Sequence, residues 1–295
     1  MGAALRLVDG SPGETVDLIA LHVDACEQRN LRPLYVYNRR IALQRLEREV
    51  GPLLEATEAG LRAWYRKCGD RMQPSARAVE LSHCKMFYRW LVLERFRDDD
   101  PTIRLVRPRL PRRLPRPIAP TQLRRAFETA TPEVRAILSL AAYAGCRACE
   151  IARLRGEDID CDAKALFIVD GKGGKQRVVP LHPEVERALI GANLPASGPV
   201  FFKGDDRGRG SGRRTNVPAS PHNISHRANE HLFRTTRGGA TLHQLRHYFG
   251  TEMYRHSQDL RLVQETLGHA SPTTSALYAQ FDPSKAAPAV NAIGT

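Results

Sequence analysis

The sequence predicts a mainly α-helical chain in two domains, the second carrying a small β-hairpin. Three observations predict it. From residue 15 to residue 94 apolar side chains recur at helical spacing, and Asn30, Pro33, Gly51-Pro52 and Gly69 punctuate them. Residues 104 to 120 then change composition abruptly, with five prolines, six arginines and no acidic residue. Beyond them one strand–turn–strand pattern, KALFIVD–GKGGK–QRVVPL, stands among helical segments. A chain of 295 residues has room for two cores, and a hydrophobic content of 42% marks it as globular rather than disordered.

The first domain, residues 1–103, reads as four helices. In 15–29 Leu18, Leu21 and Ala25 share one face. In 34–49 Tyr37, Ile41 and Leu46 point inward, while Arg39, Arg40, Arg45 and Arg48 form an outer basic face. A third helix runs from about Thr57 to Cys68 and ends at Gly69. The fourth starts at Pro74-Ser75 and offers Val79, Met86, Phe87, Trp90 and Leu91 as a wide apolar face. Residues 104–120 form a linker, because proline blocks both helix and sheet; its arginines suit a path along a phosphate backbone.

The second domain, residues 121–295, opens with a helix capped at Thr121 and a second capped at Thr131-Pro132. A helix from near Arg147 to near Gly156 follows. Then come the hairpin with Lys172 at its tip, a short strand at Val200–Phe202, a glycine- and arginine-rich loop over 203–220, and a helix from Ser220-Pro221 through Phe233. GKGGK lacks the frame of a nucleotide-binding P-loop and leads into a strand, so it cradles no nucleotide.

Composition narrows the partners. A net charge of +13, carried largely by arginine, points to a polyanion, and arginine's planar fork suits phosphate. The six cysteines reveal no disulfide framework, and Cys146-x-x-Cys149 has no second pair at zinc-site spacing, so reduced thiols and no metal are expected. The N-terminal residues lack a signal-peptide pattern and no apolar run reaches membrane-spanning length. A cytoplasmic protein without membrane contact is expected.

Chemistry concentrates in Thr241–Gln280. Thr241 caps a helix on which His243 and Arg246 stand three apart, on one face and within reach of one anionic group. A second helix ends at Gly268, with His269 just past it. Ser271-Pro272 opens a third, which carries Tyr278. Upstream, Arg147 and Glu150 are likewise three apart, a carboxylate placed to hold a guanidinium. These residues suit a tyrosine nucleophile surrounded by phosphate-binding donors. They also suit a helical bundle with incidental histidines and a core tyrosine.

Four blocks, AGCRACEIARLRGEDID, GKGGKQRVVPLHP, TLHQLRHYFGT and LGHASPTTSALYAQF, resemble in order and spacing the tyrosine recombinases, the integrase family. The resemblance covers about residues 118 to 285, and SHCKMFYRWL is similar to the last helix of the family's core-binding domain. It implies a two-domain, C-shaped DNA clamp, with an all-α core-binding domain joined to an α+β catalytic domain. It also implies that Arg147 and Arg246 clamp the scissile phosphate. His243 and His269 would supply hydrogen bonds and handle protons, Lys172 would be the general acid, Glu150 would support the geometry, and Tyr278 would be the nucleophile.

By the same resemblance, double-stranded DNA is cut and rejoined through a 3′-phosphotyrosyl intermediate without cofactor or metal. A homotetramer forms on synapsed DNA in the nucleoid, with a directionality factor or host DNA-bending protein as candidate accessories. An integrase of a phage or other mobile element is the first expectation. A Xer-like resolvase of chromosome or plasmid dimers is the second, and a non-catalytic DNA-binding regulator belongs to a different class. The chain begins almost at the first core-binding helix, so the separate arm-binding domain of larger phage integrases is expected to be missing. The chain also carries Tyr248 and Gly250 where small hydroxylated residues or alanine are common; Tyr248 and His247 are read as packing residues.

Overall fold

The computed structural model describes residues 17–110, 116–169, 176–203, 216–236 and 239–268. The chain divides into two compact units, Met1–Arg112 and Arg113–Thr295. Helices dominate both, and a small three-stranded sheet lies in the second. Among the described residues no helix is long and apolar enough to cross a membrane.

The first unit is built from α1 (Leu18–Gln28), α2 (Pro33–Val50), α3 (Glu58–Arg71) and α4 (Pro74–Leu93). Each start has a local cause. The Asp17 carboxylate accepts from the Ala20 N–H at 2.9 Å, the Thr57 hydroxyl accepts from the Gly60 N–H at 3.1 Å, and prolines open α2 and α4. The helices enclose a core that includes Val23, Leu43, Leu46, Leu61, Phe87, Tyr88 and Leu91. The Tyr88 hydroxyl donates to the Leu53 carbonyl at 2.9 Å and so ties the α2–α3 connection to α4.

The inward faces differ from those the spacing suggests. In α1 the buried residues are Ile19, His22, Val23 and Cys26, while Leu21 is 41% exposed. In α2 Arg39 is 1% exposed and Tyr37 is 60% exposed, the reverse of the expectation. The reason lies in polar partners that apolar counting ignores. Arg39 lies among the Tyr35 hydroxyl, Cys26 Sγ at 3.3 Å and His22 Nε2 at 3.4 Å, with the Tyr35 ring centre 4.6 Å away. Val79 on α4 is also exposed, and Ala78 and Leu81 take the inward places.

The two ends of the proline-rich stretch are docked rather than free. Leu105 is buried in the first core, and the Tyr65 hydroxyl donates to the Val106 carbonyl at 3.1 Å. Ile118 is buried in the second core. Pro120 rather than Thr121 opens the next helix, with Ala119 at the cap position.

The second unit contains α5 (Pro120–Glu128), α6 (Pro132–Tyr143), α7 (Ala148–Arg153), β1 (Ile159–Asp160), β2 (Ala165–Ile168), β3 (Arg177–Pro180), α8 (Pro183–Gly191), α9 (Pro221–Thr236), α10 (Leu242–Ser257) and α11 (Leu260–Leu267). Residues Ala136 to Ala142 of α6 are all buried, and this helix packs against α8, α9 and α10. A helix that is apolar all round belongs at the centre of a fold. The strands are antiparallel in the order β1-β2-β3, with Ile168 opposite Arg177 and Leu166 opposite Val179.

Two elements, β1 and α8, are absent from the sequence-based expectation. Val200–Phe202 forms no strand; the region has isolated bridges, Arg155 with Pro199 and Phe202 with Pro218. The hairpin tip, most of the 203–220 loop and the helix expected after Ser271 lie outside the described residues.

Candidate active site

Three arginines from three elements converge on one carboxylate. Glu150, in the first turn of α7, is fully buried at its side chain. Its Oε2 accepts the Arg147 backbone N–H at 2.8 Å, half of a capping box that starts the helix where the chain leaves Gly145. Its Oε1 accepts Arg147 Nη1 at 2.7 Å. Arg177, from β3, donates Nη1 to Oε1 at 3.0 Å and Nη2 to Oε2 at 2.9 Å, a two-pronged pair. Arg246, from α10, brings Nη1 to 3.7 Å from Oε2.

The same three side chains close the C-terminal end of α11. Arg177 Nε donates to the Thr266 carbonyl at 2.8 Å, Arg246 Nη2 to Leu267 at 2.6 Å, and Arg147 Nη2 to Gly268 at 3.3 Å. The last carbonyls of a helix lack intrahelical donors and carry partial negative charge, so guanidinium groups stabilise them. Gly268 takes the left-handed conformation, φ 63°, that turns the chain out of α11 toward His269. Gly145 is left-handed too, and its carbonyl accepts from Arg246 Nη1. A Cβ there would stand 2.6 Å from Phe249 and 2.9 Å from Leu267, so only glycine fits.

The electrostatics follow from burial among cations. Burial alone would raise the Glu150 pKa. The Arg177 hydrogen bonds and charge, the Arg147 N–H and the Arg246 charge outweigh it and hold the value at about 2. Beside it, the buried Cys146 thiol is pushed up to about 12, first by burial and then by Glu150. His243 sits at the start of α10, where the Gln244 side chain accepts from the Thr241 N–H at 2.8 Å and Asn229 accepts from the Leu242 N–H at 2.7 Å. One side of His243 is open to solvent. The protein packed on the other side, together with Arg246 and Arg147, holds its pKa below the ordinary value, so the ring is neutral at pH 7. His247 packs edge-on against it, ring centres 4.5 Å apart, and burial brings its pKa to about 4.

Of the residues singled out by sequence, Arg147, Glu150 and Arg246 come together, and His243 stands one helical turn from Arg246. Arg246 is 1% exposed, so a phosphate reaches little of it in this arrangement. Lys172, His269 and Tyr278 lie outside the described residues. Tyr248 is partly buried against the second core. Arg177 is not among the sequence candidates, although strand alternation carries the signal: β3 places Arg177 on the same face as buried Val179. Among the described residues no group of three His, Cys, Asp or Glu side chains is arranged to hold a metal ion.

Residues 118–285 match the Phage integrase family. The chain is 34% identical over 247 residues to tyrosine recombinase XerD of Neisseria meningitidis serogroup B, covering 80% of this chain and 81% of that one. This chain belongs to the phage integrase family of tyrosine recombinases. Another member, tyrosine recombinase XerC of Pelobacter propionicus, is 31% identical over 285 residues, 90% of each chain. The fold agrees with that of a lambda integrase dimer bound to a COC′ core site, with a TM-score of 0.71 at 17% identity over 89% of this chain and 76% of that one. The recombinase is thus an enzyme of site-specific DNA cleavage and rejoining. Its buried carboxylate fixes the Arg147 and Arg177 side chains by hydrogen bonds and faces Arg246.

Proposed function

We propose that this recombinase cuts DNA through a 3′-phosphotyrosyl intermediate formed on Tyr278. The convergence of Arg147 and Arg246 around Glu150 supports this reading most, because the buried carboxylate holds Arg147, the more exposed of the two, in a fixed position from which it can meet a phosphodiester, with Arg246 packed behind it. The Tyr278 oxygen attacks phosphorus while the bond to O5′ breaks. Lys172 gives O5′ its proton. The tyrosine's proton passes to the histidine pair, His243 and His269; His243 is suited to receive it because it is neutral at pH 7. The leaving 5′-hydroxyl of the partner strand then attacks the phosphotyrosine and restores the phosphodiester. Glu150 keeps its place as support throughout.

The same reading assigns residues 1–103 as core-binding domain, 104–120 as linker and 121–295 as catalytic domain, closing on double-stranded DNA as a clamp. Four copies synapse two duplexes. For the biological role we propose integration and excision of a phage or other mobile element. Identities of 34% and 31% to the Xer recombinases leave room for a different pair of target sites. The names of those relatives, matched over 80% to 90% of this chain, favour a second reading, resolution of chromosome or plasmid dimers.

The test uses nicked suicide DNA taken from the flanks of the gene. Wild type is expected to form a covalent adduct on a denaturing gel, and Tyr278→Phe to bind without forming one. Wild type that binds the site and never forms an adduct overturns the cleavage reading. Junction amplification then separates the roles. Circular element DNA that appears only with active enzyme supports integration, whereas dimers that accumulate in a deletion strain, with no circle, support resolution.

A further inference from the structure

We propose that Arg177 is a positioning residue for DNA cleavage, one that locks the arginine pair, the α11 terminus and the strand leaving residues 170–175 into a single register. The inference rests on the proposed reading of the site. Arg177 uses Nη1 and Nη2 on the two oxygens of Glu150 and Nε on the Thr266 carbonyl, so its whole donor edge is committed to two elements at once. Its side chain is 8% exposed, which leaves it little surface for DNA. Its aliphatic stem and Nη1 lie against Gly268, where a Cβ would stand 3.2 Å from Nη1.

Arg177 opens β3, five residues after Lys172, and contacts the helix that ends two residues before His269. Glu150, in turn, sets Arg147 through two hydrogen bonds and faces Arg246. A shift of about 1 Å in such a framework costs on the order of a hundredfold in rate. A lysine offers one charged group in place of the fork and cannot grip both oxygens and a carbonyl in one plane.

The groups facing Glu150 are Arg147 from the start of α7, Arg177 from β3, Arg246 from α10 and the Cys146 thiol before α7. Removing Arg177 strips away the strongest hydrogen-bonding cause of the low Glu150 pKa, so the carboxyl then protonates at higher pH.

The experiment compares wild type, Arg177→Met and Arg177→Lys as full chains, in single-turnover cleavage of the suicide substrate, in DNA binding and across pH. Arg177→Met is expected to slow cleavage about 10- to 100-fold with DNA affinity within about threefold, and to move the acid limb of the rate to higher pH. Arg177→Lys recovers part of the rate. Arg177→Met cleaving within about twofold of wild type overturns the proposal, as does equal loss of binding and cleavage with no shift in the pH profile. A carbon-13 titration of Glu150, assigned with Glu150→Gln, follows the carboxyl directly and needs no cleavage. If wild type forms no adduct, the reaction assignment fails; the Arg177 inference then falls only if the Glu150 titration is unchanged in Arg177→Met.

Discussion

Glu150 and Arg177 meet through two parallel hydrogen bonds, 3.0 Å and 2.9 Å long, that join a helix to a strand 27 residues further along the chain. The pair is buried, and Arg147 and Arg246 share the same carboxylate. Its energetics follow from that placement. Removing one partner of a buried pair costs more than the pair itself contributes, because the other charge is left without compensation.

Glu150→Gln therefore destabilises the second unit by about 3 kcal/mol at pH 7, read as a lower urea midpoint. The pH dependence has a definite sign. The folded-state pKa of about 2 lies below the ordinary value of 4.5, so the stabilisation is complete above about pH 4.5 and is lost as pH falls toward 2. Wild type loses stability through that window, and Glu150→Gln loses correspondingly less. Parallel curves for the two proteins would contradict the assignment.

The first unit responds to acid in a higher window. His22 and His83 are buried, each with Nδ1 unpaired, and burial followed by the Arg39 charge brings both to about 4. Below pH 6.5 the unfolded chain takes up protons that the folded one refuses, so stability declines from about pH 6.5 down to about 4. At pH 5 each histidine costs up to about 2 kcal/mol. Arg39→Met removes a buried guanidinium that has no carboxylate beside it among the described residues. It leaves stability at pH 7 unchanged or raised and moves the His22 titration upward, both measurable by NMR and urea unfolding.

Gly145→Ala forces a Cβ against Phe249 and Leu267 and strains a left-handed φ of 63°. The left-handed penalty alone is about 1–2 kcal/mol. Because the Gly145 carbonyl holds Arg246, cleavage falls further than stability predicts, and adduct formation measured well below the unfolding temperature separates the two losses.

Arg147→Ala removes one phosphate donor and one Glu150 contact. Cleavage is expected to drop about 100- to 1000-fold, with DNA affinity falling far less, since many other cations contribute to binding. Equal losses in affinity and rate would make Arg147 a binding residue instead.

How much of this is legible in the sequence depends on the kind of signal. Thr131 as a cap, Gly268 as a left-handed stop and the helical spacing of His243 and Arg246 are local, and the structure has each of them. The pairing of Arg147 with Glu150 is legible for the same reason, being three residues apart on one turn. The inward faces of α1 and α2 are not, because Arg39, His22 and Cys26 pair across 13 to 17 residues of chain and override apolar counting. Arg177 is hidden for a related reason. Its partners Glu150 and Thr266 lie 27 and 89 residues away, and no local rule connects them. The short helix α8 escapes the periodicity although Pro183 and two acidic first-turn residues signal its start.

The decisive measurement is chemical. Adduct formed on suicide DNA is digested with protease and nuclease, and the joined residue and phosphate are read by mass spectrometry. The proposed mechanism predicts a single peptide containing Tyr278 that carries a nucleotide through its 3′-phosphate. Attachment at another side chain, or through a 5′-phosphate, would contradict it.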